Sequence, residues 1–227
     1  MSLSQSVEDY LKTIYKLESE LPEDKGVSTS RLAEELSVAS ASVTNMLKRL
    51  SGLKLVEYES YHGTRLTEAG EKIALEIIRH HRLLELYLKE ILGYSWDEVH
   101  DEAEQLEHHI SEQFEDKIDE LLNYPTHDPH GDPIPSKDGK MPQIKMKPLS
   151  TVPDKKRFII SRVKNQDPDL LRYLEKQGLL PGVKVEILKR EPFDGPVKVK
   201  TEAGEVTIGK KVAESIFVII SENVQGV

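Results

Sequence analysis

Apolar residues at positions 7, 10, 11, 14, 15 and 17 fall at the three-and-four spacing of one helix face, which predicts a first helix from Val7 to Leu17. Ser6 can cap its start, and Asp9 then falls near the first turn, where a carboxylate suits the helix dipole. The loop Leu21-Pro-Glu-Asp-Lys-Gly26 leads to a second helix, which Ser28, Thr29 or Ser30 can cap and which runs to about Ser37. A short turn at Val38 to Ser40 precedes a third helix from about Ser40 to Ser51, with Gly52 fitting its C-cap. Val43, Met46, Leu47 and Leu50 form its apolar stripe. Two short strand-like runs, Leu55 to Ser60 and Thr64 to Thr67, flank Tyr61-His62-Gly63 and predict a hairpin. A long helix from Glu68 to about Ile91 and another from about Trp96 to Leu122 follow.

Periodicity stops between Tyr124 and Pro153. This stretch holds Pro125, Pro129, Pro133, Pro135, Pro142, Pro148 and Pro153 and reads as a partly ordered linker. Beyond it the pattern turns β-like in Lys155–Val163, Val183–Lys189, Val197–Lys200, Val206–Ile208 and Ser215–Ile220, with a short helix from about Pro168 to Gln177. Gly182, Gly195 and Gly204 punctuate these runs, as a small barrel requires. The fold class is therefore mainly α with a small all-β C-terminal domain.

Charge is unevenly spread over the 227 residues, whose formal net charge is −9. Residues 1–72 carry a net −3, residues 73–140 a net −11 from 17 acidic and 6 basic side chains, and residues 141–227 a net +5. There are no cysteines, which excludes disulfides and thiolate metal sites. With no apolar run long enough for a bilayer and no basic n-region or apolar h-region at the N-terminus, a cytoplasmic protein without membrane contact is expected.

Two helices joined by a three- or four-residue turn and followed by a hairpin make a winged helix-turn-helix pattern. The third helix is then the reading helix for double-stranded DNA. Ser40, Ser42, Thr44 and Asn45 are small or polar at its N-terminal half, so its backbone can approach DNA closely. Asn can read adenine, Ser and Thr can serve bases or phosphates, and Ala39 or Ala41 can touch a thymine methyl. Lys48, Arg49 and Lys54 are unopposed by acid between Val38 and Leu55, and Arg65 lies on the wing. A helical hairpin with a solvated polar face is the plainer alternative.

The acidic middle of the chain reads His-Asp-Glu-Ala-Glu-Gln-Leu-Glu-His from His100 to His108. On a continuous helix His100, Glu104, Glu107 and His108 share an arc of about 100°. His81 and Glu85 stand at i, i+4 upstream. A solvated acidic face is the ordinary explanation, but Ala103, Leu106 and Ile110 leave no clean apolar stripe beside it. Buried carboxylates this close would repel one another unless a cation joined them. Nitrogen and oxygen donors without sulfur favour hard ions such as Mn²⁺ and keep Fe²⁺, Co²⁺ and Zn²⁺ within reach. His80, His109 and Glu102 turn away from the stripe.

These blocks in this order resemble the diphtheria toxin repressor family of metal-dependent transcriptional regulators, and within it the manganese-responsive branch. The resemblance rests on Val7-Glu-Asp-Tyr-Leu-Lys-Thr-Ile-Tyr15, Ser42 to Leu50, Leu66-Thr-Glu-Ala-Gly70, Arg79 to Glu85 and Val99 to His108, and more softly on Gly178-Leu-Leu-Pro-Gly-Val183. It implies a winged helix-turn-helix domain over residues 1–72, a helical metal-binding and dimerisation domain over 73–140, a linker over 141–153 and an SH3-like domain, similar to ferrous-transport protein A, over 154–227.

The resemblance also implies ligand sets. One site takes His81, Glu85 and His100 with a carboxylate from the last domain, Asp167 or Asp169. The other takes Asp9, Glu104, Glu107 and His108. Asp9 and Glu104 are oxygen donors where the iron-responsive branch has sulfur. Lys12 stands where the shortest manganese regulators carry a further Glu. Asp128 stands where some longer relatives carry a Cys ligand, and either completes a site or is a turn residue before Pro129.

A metal joining Asp9 to the later helix would set the orientation of the reading head in a homodimer formed by the apolar faces of Ile73–Ile91 and Val99–Leu122. The implied function is repression of manganese or metal uptake genes. The competing readings are an iron-responsive regulator of the same family, a di-iron carboxylate enzyme built on Glu-x-x-His spacing, and a metal-buffering or interaction protein. The enzyme reading leaves the winged helix unexplained.

Overall fold

The first apolar stripe forms helix α1, Gln5–Glu18, which buries Val7, Leu11, Ile14 and Leu17. It belongs to a computed structural model that describes residues 3–22, 25–59 and 62–220. Helix α2, Thr29–Glu35, begins where Ser28 Oγ accepts the N–H of Arg31 at 3.3 Å. Helix α3, Ser40–Gly52, points Val43, Leu47 and Leu50 into the same core as α1 and leaves Met46 only partly covered. Strands β1, Val56–Glu59, and β2, Gly63–Leu66, pair antiparallel from Val56–Leu66 to Glu59–Gly63. The expected turn residue Tyr61 lies outside the described residues.

Helix α4, Glu68–Glu90, is as long as its apolar spacing predicts. The helix expected from about Trp96 to Leu122 is instead two, α5, Val99–Leu106, and α6, Glu112–Leu121. The chain leaves the helix after Leu106 and turns through residues 107–110. It restarts at Ser111, whose Oγ accepts the N–H of Phe114 and so satisfies a donor that a new helix end would orphan. The common-arc argument for His100 to His108 therefore fails at Glu107. The ends of that segment project from different backbone conformations.

Part of the proline-rich stretch is structural. Asp128 to Pro135 are buried, and Asp128 Oδ1 accepts the N–H groups of His130 and Asp132 at 2.8 and 2.9 Å, an Asx-type turn placed just before Pro129. This is an ordered part of the stretch expected to be a partly ordered linker. The expected linker residues Leu149 and Val152 likewise join the core of the last domain.

That domain is a six-stranded antiparallel sheet ordered β3-β8-β4-β5-β6-β7. Its elements in chain order are β3 (Lys147–Pro148), β4 (Arg157–Val163), α7 (Pro168–Lys176), β5 (Lys184–Arg190), β6 (Val197–Thr201), β7 (Gly204–Ile208), α8 (Lys210–Ser215) and β8 (Ile216–Ile220). In β6, Val197, Val199 and Thr201 face in while Lys198 and Lys200 face out, the alternation a half-buried strand requires.

The chain forms two compact units. One is Met1–His80 with Glu107–Ile110 and Pro135–Met141, and the other is His81–Leu106 with Ser111–Ile134 and Pro142–Val227. Among the described residues no helix is long and apolar enough to cross a membrane.

Candidate metal centres and nucleic-acid interface

In the first unit, α1 and the turn after α5 build a partly buried cluster. Glu8, Asp9 and Lys12 come from α1, and Glu107 and His108 from the turn. His108 Nδ1 donates to Glu8 Oε2 at 2.6 Å. Its other nitrogen, Nε2, lies 2.8 Å from Asp9 Oδ1 and 3.4 Å from Glu107 Oε1. Nε2 is buried and has no hydrogen-bond partner among the described residues. The tautomer with its proton on Nδ1 toward Glu8 would leave the Nε2 lone pair for a metal. Three Lewis-basic groups, from Asp9, Glu107 and His108, thus offer ligand atoms all within 4.8 Å of one another. This donor set fits a divalent cation, and Glu8 is placed to fix the imidazole tautomer from behind. Glu8→Ala is expected to weaken Mn²⁺ binding at this pocket by about 10- to 100-fold, read by isothermal titration calorimetry. An unchanged affinity would remove the orienting role.

Lys12 lies against the same carboxylate. Its Nζ donates to both Glu107 oxygens, at 2.6 and 2.8 Å, and both side chains are almost wholly buried, at 4 and 0 % exposure. His80, expected to turn away, is buried with Nδ1 3.2 Å from the Glu107 carbonyl oxygen, and His109 is exposed.

The second unit holds two adjoining clusters. His81 Nε2 is 3.0 Å from Glu85 Oε1 and 3.1 Å from His100 Nδ1, and His100 Nδ1 is 3.2 Å from the same Glu85 oxygen. Glu104 Oε2 is 3.4 Å from His81 Nδ1. Deeper in, His130 Nδ1 lies 3.6 Å from Glu85 Oε2, while His130 Nε2 donates to the Trp96 carbonyl at 2.8 Å. Glu85, Asp128 and His130 form a fully buried trio, and Glu85 Oε2 and Asp128 Oδ2 have no hydrogen-bond partner among the described residues. Arg82 Nε stands 3.7 Å from Asp128 Oδ2, and the Glu85 oxygen beside the His130 ring is the kind of group that a cation satisfies.

Protonation follows from this packing. Burial works against a charge on Glu85, but the charge of His81, the hydrogen bonds to His100 and His81 and the nearby His130 ring outweigh it and hold the carboxyl well below its ordinary range. Burial pushes Asp128 well up, and the neighbouring charges of Glu85 and Asp132 push the same way. Burial disfavours charge on His130, but the facing carboxylates of Glu85 and Asp128 raise it to about 9. A bound cation would compete with the protons that this packing favours on Asp128 and His130.

Three expected assignments take a more definite form. Glu104, which the resemblance places with Asp9, has Oε2 3.4 Å from His81 Nδ1, on a helix that ends two residues later. Asp128, expected either to complete a site or to be a turn residue before Pro129, does form that turn and also lies in one cluster with Glu85 and His130. Asp167 is drawn into local backbone work, its Oδ1 accepting the N–H of Leu170 to cap α7, while exposed Asp169 pairs with Arg172 at 2.6 Å. Neither falls in the metal-type clusters formed among the described residues. Glu8 and His130 were not anticipated. For His130 a signal existed, a second imidazole two residues from Asp128 in a turn closed by Gly131.

Helix α3, the expected reading helix, exposes most of its polar face. Ala39, Ser40, Ala41, Ser42, Asn45, Lys48 and Arg49 are exposed, Thr44 donates its hydroxyl to the Ser40 carbonyl at 3.0 Å, and Arg65 is partly exposed on β2.

A winged helix followed by helices bearing buried oxygen-and-nitrogen clusters and by a small β domain is the architecture of metal-dependent transcriptional regulators. The description "Iron dependent repressor, N-terminal DNA binding domain" matches residues 2–64, "Iron dependent repressor, metal binding and dimerisation domain" residues 67–136, and "FeoA domain" residues 147–220. The iron-dependent repressor IdeR of Mycobacterium tuberculosis is 31% identical over 231 residues, 95% of this chain and 97% of that protein. The HTH-type transcriptional regulator MntR of Oceanobacillus iheyensis is 40% identical over 120 residues, 52% of this chain and 78% of that protein. Among solved structures, a manganese-dependent transcriptional repressor in complex with manganese superposes with a TM-score of 0.85 at 37% identity, covering 94% of this chain and 99% of that one. ScaR with bound Cd²⁺ gives 0.77 at 33% identity, covering 94% of this chain and 99% of that one. The chain belongs to the diphtheria toxin repressor family of metal-dependent transcriptional repressors, a family of regulators and not of enzymes.

Proposed function

We propose that this protein is a manganese-activated repressor that binds operator DNA as a homodimer and governs manganese uptake genes. The observation that carries the choice of ion is the Asp9, Glu107 and His108 set, two carboxylates and one imidazole without sulfur. The similarity to manganese-dependent repressors supports the same reading, while the similarity to IdeR keeps an iron-responsive regulator as the second reading. Fe²⁺, Co²⁺ and Zn²⁺ would occupy the same donors in vitro.

A bound ion supplies positive charge that ties two carboxylates and an imidazole together. Asp9 projects from the first helix of the winged-helix unit, and Glu107 and His108 from the turn after α5. Their shared ligation would fix α1 against that turn, and with it the helices that α1 packs on. The DNA-competent arrangement is then selected because it binds the ion more tightly. His81, Glu85, His100, Glu104, Asp128 and His130 would hold a second ion. Phe114 and Leu121 on α6, 44 and 58 % exposed, offer apolar area for the two-fold contact.

Ser40, Ser42, Thr44 and Asn45 would face bases, and Lys48, Arg49 and Arg65 would face phosphates. Arg49→Ala is expected to weaken binding about equally across DNA sequences and to reduce the salt slope by about 1. A loss confined to one base position would make Arg49 a base reader. The function itself is tested by fluorescence anisotropy with a duplex selected from a random library in the presence of Mn²⁺. At fixed salt, binding should appear with Mn²⁺ and vanish with a chelator. Activation by Fe²⁺ under anaerobic conditions at lower free ion than Mn²⁺ would favour the iron reading.

A further inference from the structure

Helix α2 ends in a way that fixes the residue just before α3. Ser37 takes the left-handed conformation, φ +53°, at the position where glycine most often stops a helix. Its N–H donates to the Glu34 carbonyl at 3.2 Å, and the N–H of Val38 donates to the Ala33 carbonyl at 3.0 Å. These two bonds close a Schellman turn, so the backbone at Val38 has a set direction. An apolar residue at this place ordinarily covers the last helical turn. Ala33 in that turn is buried, yet Val38 stays 40 % exposed.

The next positions continue the pattern. Ala39 is the N-cap of α3, the place where Ser, Thr, Asp or Asn would accept a backbone N–H, and no side chain of this residue caps the helix. Ala39 and Ala41 are exposed, with Ser40 between them. At the leading end of α3, Val38, Ala39 and Ala41 are thus apolar and open to solvent, and none of them belongs to the apolar core of this unit. Neither capping nor core packing accounts for them.

The major groove of DNA offers one apolar group at the base edges, the C5-methyl of thymine. Alanine reaches only as far as its Cβ, whereas the two γ-methyls of Val38 extend one bond further. We propose that Val38 is a specificity-determining residue of the DNA interface, the side chain that packs on a thymine C5-methyl, with Ala39 and Ala41 keeping the adjoining surface apolar. The inference rests on the reading of α3 as the DNA-reading helix. It adds a contact that carries no charge and no hydrogen bond, and it separates thymine from cytosine because unmodified cytosine has no methyl at C5.

The test pairs a methyl deletion in the DNA with a truncation in the protein. The full chain is titrated by fluorescence anisotropy, at fixed salt and saturating Mn²⁺, against the selected duplex. It is also titrated against versions in which each thymine position in turn becomes deoxyuridine in both half-sites. Deoxyuridine lacks the methyl and keeps every hydrogen-bonding group. At one position the parent is expected to lose about 15-fold in affinity, about fourfold for each methyl left unburied. Val38→Ala should bind the thymine duplex at least about fourfold more weakly than the parent, and its own loss at that position should shrink to about fourfold or less. Its salt slope should match the parent's, because no phosphate contact is removed.

The same deoxyuridine penalty in Val38→Ala as in the parent at every thymine would overturn the proposal while leaving DNA binding intact. So would a selected site in which no deoxyuridine change weakens the parent. A lower melting temperature for Val38→Ala with unchanged methyl selectivity would assign Val38 to the turn alone and overturn it as well. Should Val38→Ala lose its fold, Val38→Thr keeps the branched shape for the turn and is expected to show a reduced penalty, and an unreduced one overturns the proposal. Failure of the parent to bind any duplex with Mn²⁺ would remove the DNA-reading helix itself, and this inference with it.

Discussion

His108→Ala is expected to abolish manganese activation of DNA binding, raising the Mn²⁺ needed for half-maximal binding by at least about 100-fold. Orienting partners of metal-bound histidines are worth about 10- to 100-fold in affinity, and a ligand is worth no less. His108 is the imidazole among the three groups that converge in the first-unit pocket, and its removal also strands Glu8, which is held by Nδ1. What remains is Asp9 with a Glu107 already committed to Lys12. The check is anisotropy titration with buffered free Mn²⁺. Unchanged far-ultraviolet circular dichroism would show that the helices persist. Activation at the parent's ion concentration would contradict the assignment of this pocket as the switch.

The second large effect is expected at a residue that ligates nothing. Gly131 adopts φ +85°, and a Cβ there would overlap the carbonyl oxygen of Ser161 on β4. Its neighbours are bound to the same strand, with the His130 carbonyl accepting the N–H of Val163 at 2.8 Å and Asp132 pairing with Arg162 at 2.6 Å. Gly131→Ala therefore meets both a left-handed backbone penalty and a backbone clash, together roughly 2–5 kcal/mol. Denaturant unfolding should show the loss. Because Asp128 and His130 ride on the same turn, metal binding at Glu85, Asp128 and His130 should fall as well. The single tryptophan, Trp96, stacks on the His130 ring at 5.7 Å and offers a fluorescence signal for that pocket. A variant as stable as its parent would show that the turn can shift away from β4.

Elements governed by local apolar spacing were legible in the sequence. The stripe of α3, the cap at Ser28 and the alternation in β6 each follow from side chains a few residues apart. Most members of the side-chain clusters were legible too, because imidazoles and carboxylates are dense between His81 and His108. Their partition was not legible. It depends on a helix that ends after Leu106, a break signalled locally only by Ser111, and on which distant carboxylate each imidazole meets. The turn from Asp128 to Pro135 was hidden for a related reason. Its proline content suggests an open linker, whereas its order comes from side-chain-to-backbone bonds of Asp128 and from contact with β4. The Lys12–Glu107 pair spans 95 positions of sequence and has no local signature.

The central claim is that an ion at Asp9, Glu107 and His108 and DNA at α3 select the same arrangement of the winged-helix unit. Linkage then requires DNA to tighten manganese binding by the factor by which manganese tightens DNA binding. The direct measurement is calorimetric titration of Mn²⁺ into the protein with and without a saturating selected duplex, at fixed salt and pH. The account predicts an affinity rise of at least tenfold with DNA, absent in His108→Ala. An identical manganese affinity with and without DNA would contradict it.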